Sequence, residues 1–194
     1  TIATGTRAAA MGGFTAVACM PNTNPVIDHS GVVEFIYAQA KKEGVVRVYP
    51  VGSITKKQEG KELSEIGDLK SAGIVALSDD GKPVSSSEIM RRALEYASMF
   101  NLPVISHSEA PELSRHGVLH EGYRSTVLGL PGIPSAAEEV MVARDLVLAE
   151  MTGGILHVAH VSSGGTVALI REAKKRGLKV TAETAPHYCA LTDE

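Results

Sequence analysis

Only two cysteines, Cys19 and Cys189, occur in 194 residues. That is too few for the disulfide framework of a small secreted domain, so a reducing compartment, the cytoplasm, is expected. Charge of one sign is equally scarce, since 19 basic side chains against 22 acidic ones leave a formal net charge of -3. This balance gives no electrostatic case for nucleic acid or a membrane surface, and neither partner is expected. The longest uncharged run, Ala8 to Ile27, is interrupted by Gly12-Gly13 and by Pro21-Asn22-Thr23-Asn24-Pro25, which excludes a transmembrane helix. No basic segment precedes an apolar one as a secretory signal requires. Low-complexity tracts, charge blocks and shifts of composition are also missing, and 44% hydrophobic against 21% charged residues excludes a disordered tail. The first residue is Thr1 rather than Met, and the expectation is that the start of the gene product precedes it.

What is present is an alternation of short β-branched runs with segments of helical period. Six runs read as strands: Phe14 to Met20, Val45 to Val51, Ile74 to Ser78, Pro103 to His107, Ile155 to His160 and Lys179 to Glu183. Helix punctuation separates them. Asp28 is placed to cap a helix that reaches about Lys42 and stops at Gly44. Ser85-Ser86-Ser87-Glu88 and Ser135-Ala136-Ala137-Glu138 read as capping boxes for helices to about Asn101 and Met151, and a further helix runs from about Gly164 to Gly177. Strand and helix alternating every 25 to 30 residues or so is the repeat of βα units on a parallel sheet. One interval is longer, because Glu109 to Pro134, rich in Gly, Pro and His, intervenes between two strands. Such an irregular excursion after a strand end reads as an active-site loop.

The carboxyl ends of parallel strands converge on one face, where chemistry collects. Three consecutive strands deliver Asp or His to this rim: Ser78-Asp79-Asp80-Gly81, Ser106-His107-Ser108-Glu109 and His157-Val158-Ala159-His160. Strand parity puts Val75 and Leu77 on the helix-covered face and Ala76, Ser78 and Asp80 on the other, so Asp80 rather than Asp79 is the inward carboxylate. By the same parity His157 and His160, three positions apart, point opposite ways, with His160 nearer the rim. Two imidazoles and a carboxylate from different strands make a ligand set for Zn²⁺ or a similar cation. The competing reading is three separately hydrogen-bonded polar residues.

Together with these ends, Met20-Pro21-Asn22-Thr23, Gly129-Leu130-Pro131-Gly132-Ile133-Pro134-Ser135 with Glu138 and Glu139, and Thr181-Ala182-Glu183 with Pro186-His187 occur in the order found in class I dihydroorotases. The chain resembles that family, zinc-dependent amidohydrolases built on an α/β (β/α)₈ TIM barrel, along its whole length. The resemblance implies that residues 1–194 form part of one such barrel domain, with about six βα units that correspond to strands two to seven. It implies two zinc ions bridged by Asp80, His107 and His160 as ligands of one of them, and Asn22 as a substrate contact. The implied reaction is the reversible interconversion of N-carbamoyl-L-aspartate and dihydroorotate in pyrimidine synthesis, and the implied assemblies are a homo-oligomer or a complex with aspartate transcarbamoylase. Hydantoinases and allantoinases, the nearest alternatives, carry a carboxylated lysine where this segment offers Asp79 and Asp80. A non-catalytic scaffold for aspartate transcarbamoylase is the alternative from another class.

The family pattern also calls for an HxH pair and an arginine on a first strand, expected before Thr1, and for a general acid/base aspartate on an eighth strand, expected beyond Glu194. No catalytic acid or base is therefore assigned within these residues. A (β/α)₈ barrel needs about 250 residues, so the chain is expected to be an excerpt with two open sheet edges. The remaining candidates have plainer readings. His187 is expected to hydrogen-bond locally, His29, His116 and His120 to face solvent or order their loops, and Cys19 to be a small buried hydrophobe. Cys189 lacks a paired base, and Gly164-Gly165 reads as a tight turn.

Overall fold

The computed structural model describes residues 1–192; the expected domain 1–194 includes Asp193 and Glu194, which lie outside the described residues. The chain opens with helix α1 (Ile2–Met11) and then alternates: β1 (Ala16–Cys19), α2 (Ser30–Glu43), β2 (Arg47–Ser53), α3 (Ile66–Ala72), β3 (Ala76–Ser78), α4 (Ser87–Ser98) and β4 (Pro103–Ser106). An excursion follows, made of α5 (Pro111–Ser114), β5 (Leu119–His120), α6 (Tyr123–Leu128) and β6 (Gly132–Ile133). The alternation resumes with α7 (Ala136–Thr152), β7 (Ile155–Val158), α8 (Gly164–Lys175), β8 (Val180–Ala182) and α9 (Pro186–Ala190). Six strands form one parallel sheet in the order β1-β2-β3-β4-β7-β8. Among the described residues β1 and β8 are its two edges and do not pair with each other. Six βα units in sequential order form the wall of a barrel that remains open along one side.

All the crossover helices lie on one face of this wall. Val33 and Ile36 from α2, Leu69 from α3, Met90 and Leu94 from α4, Val142 and Leu146 from α7 and Ile170 from α8 pack in one cluster with Val48, Leu77, Val104, Leu156, Val158 and Val180 of the strands. The opposite, concave face carries only a small cluster of Val51, Ala76, Ile105 and Ala159, against which Met20 packs. The strands thus bury one set of alternate side chains under helices, as the period of two requires. Leu156, with no exposure, is at the centre of the larger cluster. Leu156→Ala is expected to lower stability by about 3 kcal/mol, through lost transfer energy and a cavity that rigid neighbours cannot fill. A urea titration of wild type and variant measures the difference.

The six expected strands are all present, each with one or both bounds moved by one or two residues: β2 starts at Arg47 and runs on to Ser53, β7 stops at Val158, and the other four are shorter than expected. Helices α1, α3 and α9 are additions to the expected elements; Thr1 caps α1, its hydroxyl accepting the Thr4 N–H. Asp28 does not cap α2. His29 holds that position without a side-chain bond, because the Asp28 carboxylate accepts the Lys57 N–H at 3.0 Å. In α4 the cap is Ser86, whose hydroxyl accepts the Ile89 N–H, so Glu88 is not the third residue of a box. Ser135 makes no cap bond, because its backbone is already helical at φ -53 and ψ -29 and its carbonyl takes the Glu138 N–H at 3.1 Å; the Glu138 side chain reaches another loop instead of returning to Ser135. The excursion is less irregular than expected, because β5 and β6 pair in parallel and short helices flank them. No helix among the described residues is long and apolar enough to cross a membrane.

Candidate metal centre

At the carboxyl end of β3 the chain places two adjacent carboxylates in opposite settings. Asp79 is buried and accepts the N–H groups of Ile54 (2.8 Å) and Thr55 (3.1 Å) as well as the Thr55 hydroxyl. It ties β3 to the segment after β2. Asp80 continues to the concave rim, followed by Gly81 at φ 79, a left-handed turn that glycine takes without strain. The parity assignment of Asp80 is therefore met, although Val75 is exposed and Ile74 fills the core position expected of it, because regular strand geometry begins only at Ala76.

His107 follows the last residue of β4, and His160 lies two residues past β7. His157 pairs in register with Ile105 of the concave cluster and its Nδ1 lies 2.8 Å from the Thr181 hydroxyl. His160 nevertheless reaches the same face, contrary to the parity expectation. The strand has ended, and φ of 38 at His160 swings its side chain back over the rim. The His107 Nδ1 and His160 Nε2 atoms are 2.9 Å apart, and the rings meet edge to face at 76°. Asp80 Oδ1 lies 3.9 Å from His107 Nδ1 and 3.7 Å from His160 Nε2.

Asp80, His107 and His160 are the one group of three such residues among the described residues whose donor atoms fall within 4.8 Å of one another. Donors about 2 Å from a tetrahedral zinc stand roughly 3.3 Å apart. The spacings of 2.9 to 3.9 Å bracket that value, so nitrogen, nitrogen and oxygen donors fit such an ion. Electrostatics favour the same use. The His160 imidazole, ahead of the other neighbours, holds the Asp80 carboxyl below its ordinary range. Asp80 in turn raises His160, while burial first and His160 second lower His107, leaving it an available neutral donor.

Asn22 Nδ2 donates to Asp80 Oδ2 at 2.9 Å, so the two carboxylate oxygens have different partners. Sequence reasoning passes over several residues close to the centre. Glu109 Oε2 lies 3.9 Å from His107 Nε2, two positions on in the chain. Asp145, fully buried in α7, accepts from the Ser106 hydroxyl at 2.5 Å and from Arg144 at 2.9 and 2.7 Å. An acidic residue inside an apolar helical stripe is the signal that could have found it. Other expectations fare unevenly. His29, His116 and His120 are exposed. His187 makes no side-chain hydrogen bond among the described residues and packs edge-on against Tyr188 instead. Cys19 is half-buried, and burial pushes its thiol up, whereas Cys189 is exposed. Gly164 and Gly165 begin α8, with the Gly165 N–H taken by the Ser163 hydroxyl. A cleft of about 550 Å³ lies between α1, β1 and α2, away from the metal-type donors.

Residues 1–165 match the model of the dihydro-orotase-like family. The chain belongs to that family. It is 64% identical over 193 residues to a dihydroorotase of Acetivibrio thermocellus, covering all of this chain and 45% of that protein. It is 62% identical over 194 residues to a dihydroorotase of Endomicrobium trichonymphae, covering 46% of it. The chain thus spans a little under half the length of these curated relatives. Among solved structures, L-hydantoinase (dihydropyrimidinase) from Arthrobacter aurescens superposes with a TM-score of 0.80 at 21% identity, over 99% of this chain and 44% of that one. The barrel fold of the family is therefore shared beyond its sequences.

Proposed function

We propose that the protein carrying this chain is a dihydroorotase of de novo pyrimidine synthesis, acting in the cytoplasm on N-carbamoyl-L-aspartate and dihydroorotate. The observation that carries the reading is the carboxylate of Asp80 at the end of β3, aimed at two imidazoles from β4 and β7. By resemblance, hydantoinases and allantoinases have a carboxylated lysine there. The dihydroorotases at 62 to 64% identity support the same choice. Asp80, His107 and His160 would hold zinc, with Asp80 bridging two ions. Bound zinc supplies a water acidic enough to ionise near neutral pH and polarises the amide carbonyl under attack.

The chain's own residues supply charge, substrate contact and ligand orientation. Asp80 contributes the negative charge that offsets two cations. Asn22, neutral and exposed beside Asp80, offers an amide N–H to an anionic substrate. Glu109, near His107 Nε2, favours the ring orientation that leaves Nδ1 facing the centre. A homo-oligomer, or a complex with aspartate transcarbamoylase, belongs to the same reading. A substrate panel on the full-length protein tests it: kcat/KM for dihydroorotate should exceed those for hydantoin and allantoin by about 100-fold or more, the margin that missing polar contacts impose. Preference for hydantoin or allantoin would instead assign the site to those hydrolases.

A further inference from the structure

We infer that Glu138 is a positioning residue for the metal centre, acting on His160 through the backbone turn that follows it; the inference rests on the metal-binding reading above. His160 is a non-glycine residue at φ 38, a left-handed conformation that costs about 1–2 kcal/mol and persists only when its surroundings enforce it. The enforcing contacts lie on both sides of it. The Ala159 N–H donates to the Ser106 carbonyl at 3.1 Å, and the Val161 N–H to the Glu183 carbonyl at 2.8 Å. Beyond them no strand is available, and a side chain takes over. One Glu138 carboxylate accepts the Ser162 N–H at 3.0 Å, the Ser163 N–H at 3.1 Å and the Ser162 hydroxyl at 2.6 Å. Its neighbour Glu139 accepts the Ser163 hydroxyl.

The helix that supplies this clamp is itself anchored beside the other imidazole. Two turns further along α7, Asp145 holds the Ser106 hydroxyl at 2.5 Å, and Ser106 immediately precedes His107. One rigid helix therefore ties down the backbone beside both histidines. That fixed spacing is what a tetrahedral ion needs before it arrives, since ligands held in place bind metal without ordering the loop first. A carboxylate is required because both of its oxygens face donors. Glutamine has the same shape but would turn an N–H₂ group toward one of them.

The test is zinc affinity of the full-length protein, measured by chelator competition on Glu138→Gln, Ser162→Ala and Glu150→Gln. Glu150 lies on the same helix and only pairs with Arg176 at the surface, at 3.0 Å. Glu138→Gln is expected to weaken zinc binding about 10- to 100-fold, the range for residues that orient ligands. Its kcat should fall at limiting zinc and recover in excess zinc while KM stays near wild type, and Glu150→Gln should leave affinity unchanged. A purely structural role would lower the urea midpoint of the metal-free protein and leave zinc affinity within twofold, which overturns the inference. Should Glu138→Gln fail to fold, Ser162→Ala and Glu138→Asp decide together: the first removes the hydroxyl bond and the second shortens the reach to both N–H groups, so a weaker zinc site in either supports the clamp and unaltered affinity in both removes it. Asp80→Ala separates the two readings. If it leaves zinc bound, the metal centre is misassigned; if it abolishes zinc while Glu138→Gln has no effect, only the role of Glu138 falls.

Discussion

Asp80→Ala is expected to abolish tight zinc binding and to lower kcat/KM for dihydroorotate by at least about 10³-fold, or ~4 kcal/mol of transition-state stabilisation. Its carboxylate is the one anionic member of the three-residue donor group. Without it two imidazoles 2.9 Å apart would have to share a cation with no charge to offset it. The same change releases His160, whose pKa Asp80 chiefly raises, so His160 should titrate lower in the variant. Folding should suffer little, because the partners of Asp80 at the rim are Asn22, His107 and His160, which water can solvate. Metal analysis, a dihydroorotate assay and NMR titration of the His160 ring check these outcomes together. Zinc retained at wild-type stoichiometry with unchanged turnover would remove Asp80 from the site.

Asp79→Ala, one residue away, should have the opposite profile: a loss of stability of about 3–5 kcal/mol, with zinc content per folded molecule preserved. Three donors of Ile54 and Thr55 point at this carboxylate, and removing it leaves them buried without partners, at about 1–3 kcal/mol each before water enters. The pH dependence of the two aspartates differs in sign. Burial raises the Asp79 pKa above 3.8, with the Thr55 and Ile54 bonds opposing. Its folded form holds a proton in a window where the unfolded chain does not, so that contribution is present below about 3.8 and is lost as pH rises through the folded value. The Asp80 pKa is lowered, so its contribution is present above the unfolded value and is lost as pH falls through the folded one. Urea titrations of both variants across the acid range measure the two slopes, and equal slopes would show that the settings are not opposite.

The contrast also shows how far residues in order carry. Asp80 separates from Asp79 because alternation holds through Ala76, Leu77 and Ser78 and the chain keeps its direction for two residues more. The same rule fails for His160, because β7 ends at Val158 and a single backbone angle reverses the side chain. Glu138 misleads for a related reason. Ser135-Ala136-Ala137-Glu138 has the spacing of a capping box, yet its carboxylate bonds to Ser162 and Ser163, 24 and 25 positions away. A local pattern cannot announce that a stronger set of donors stands across a loop. Asp28 illustrates it again, drawn from its helix end by the Lys57 N–H.

Residue order alone was enough for the six strands, four of the helices between them, the parallel arrangement and the rim to which Asp80, His107 and His160 belong. Those follow from side-chain periodicity, which acts over a few residues and survives small shifts of strand ends. It took the packed fold to establish that His157 shares the face of His160, that Asn22 meets Asp80, and that α7 reaches beside both histidines. Each of these depends on a few directional bonds between segments far apart in the chain, and their geometry exists only once the sheet and helices have packed.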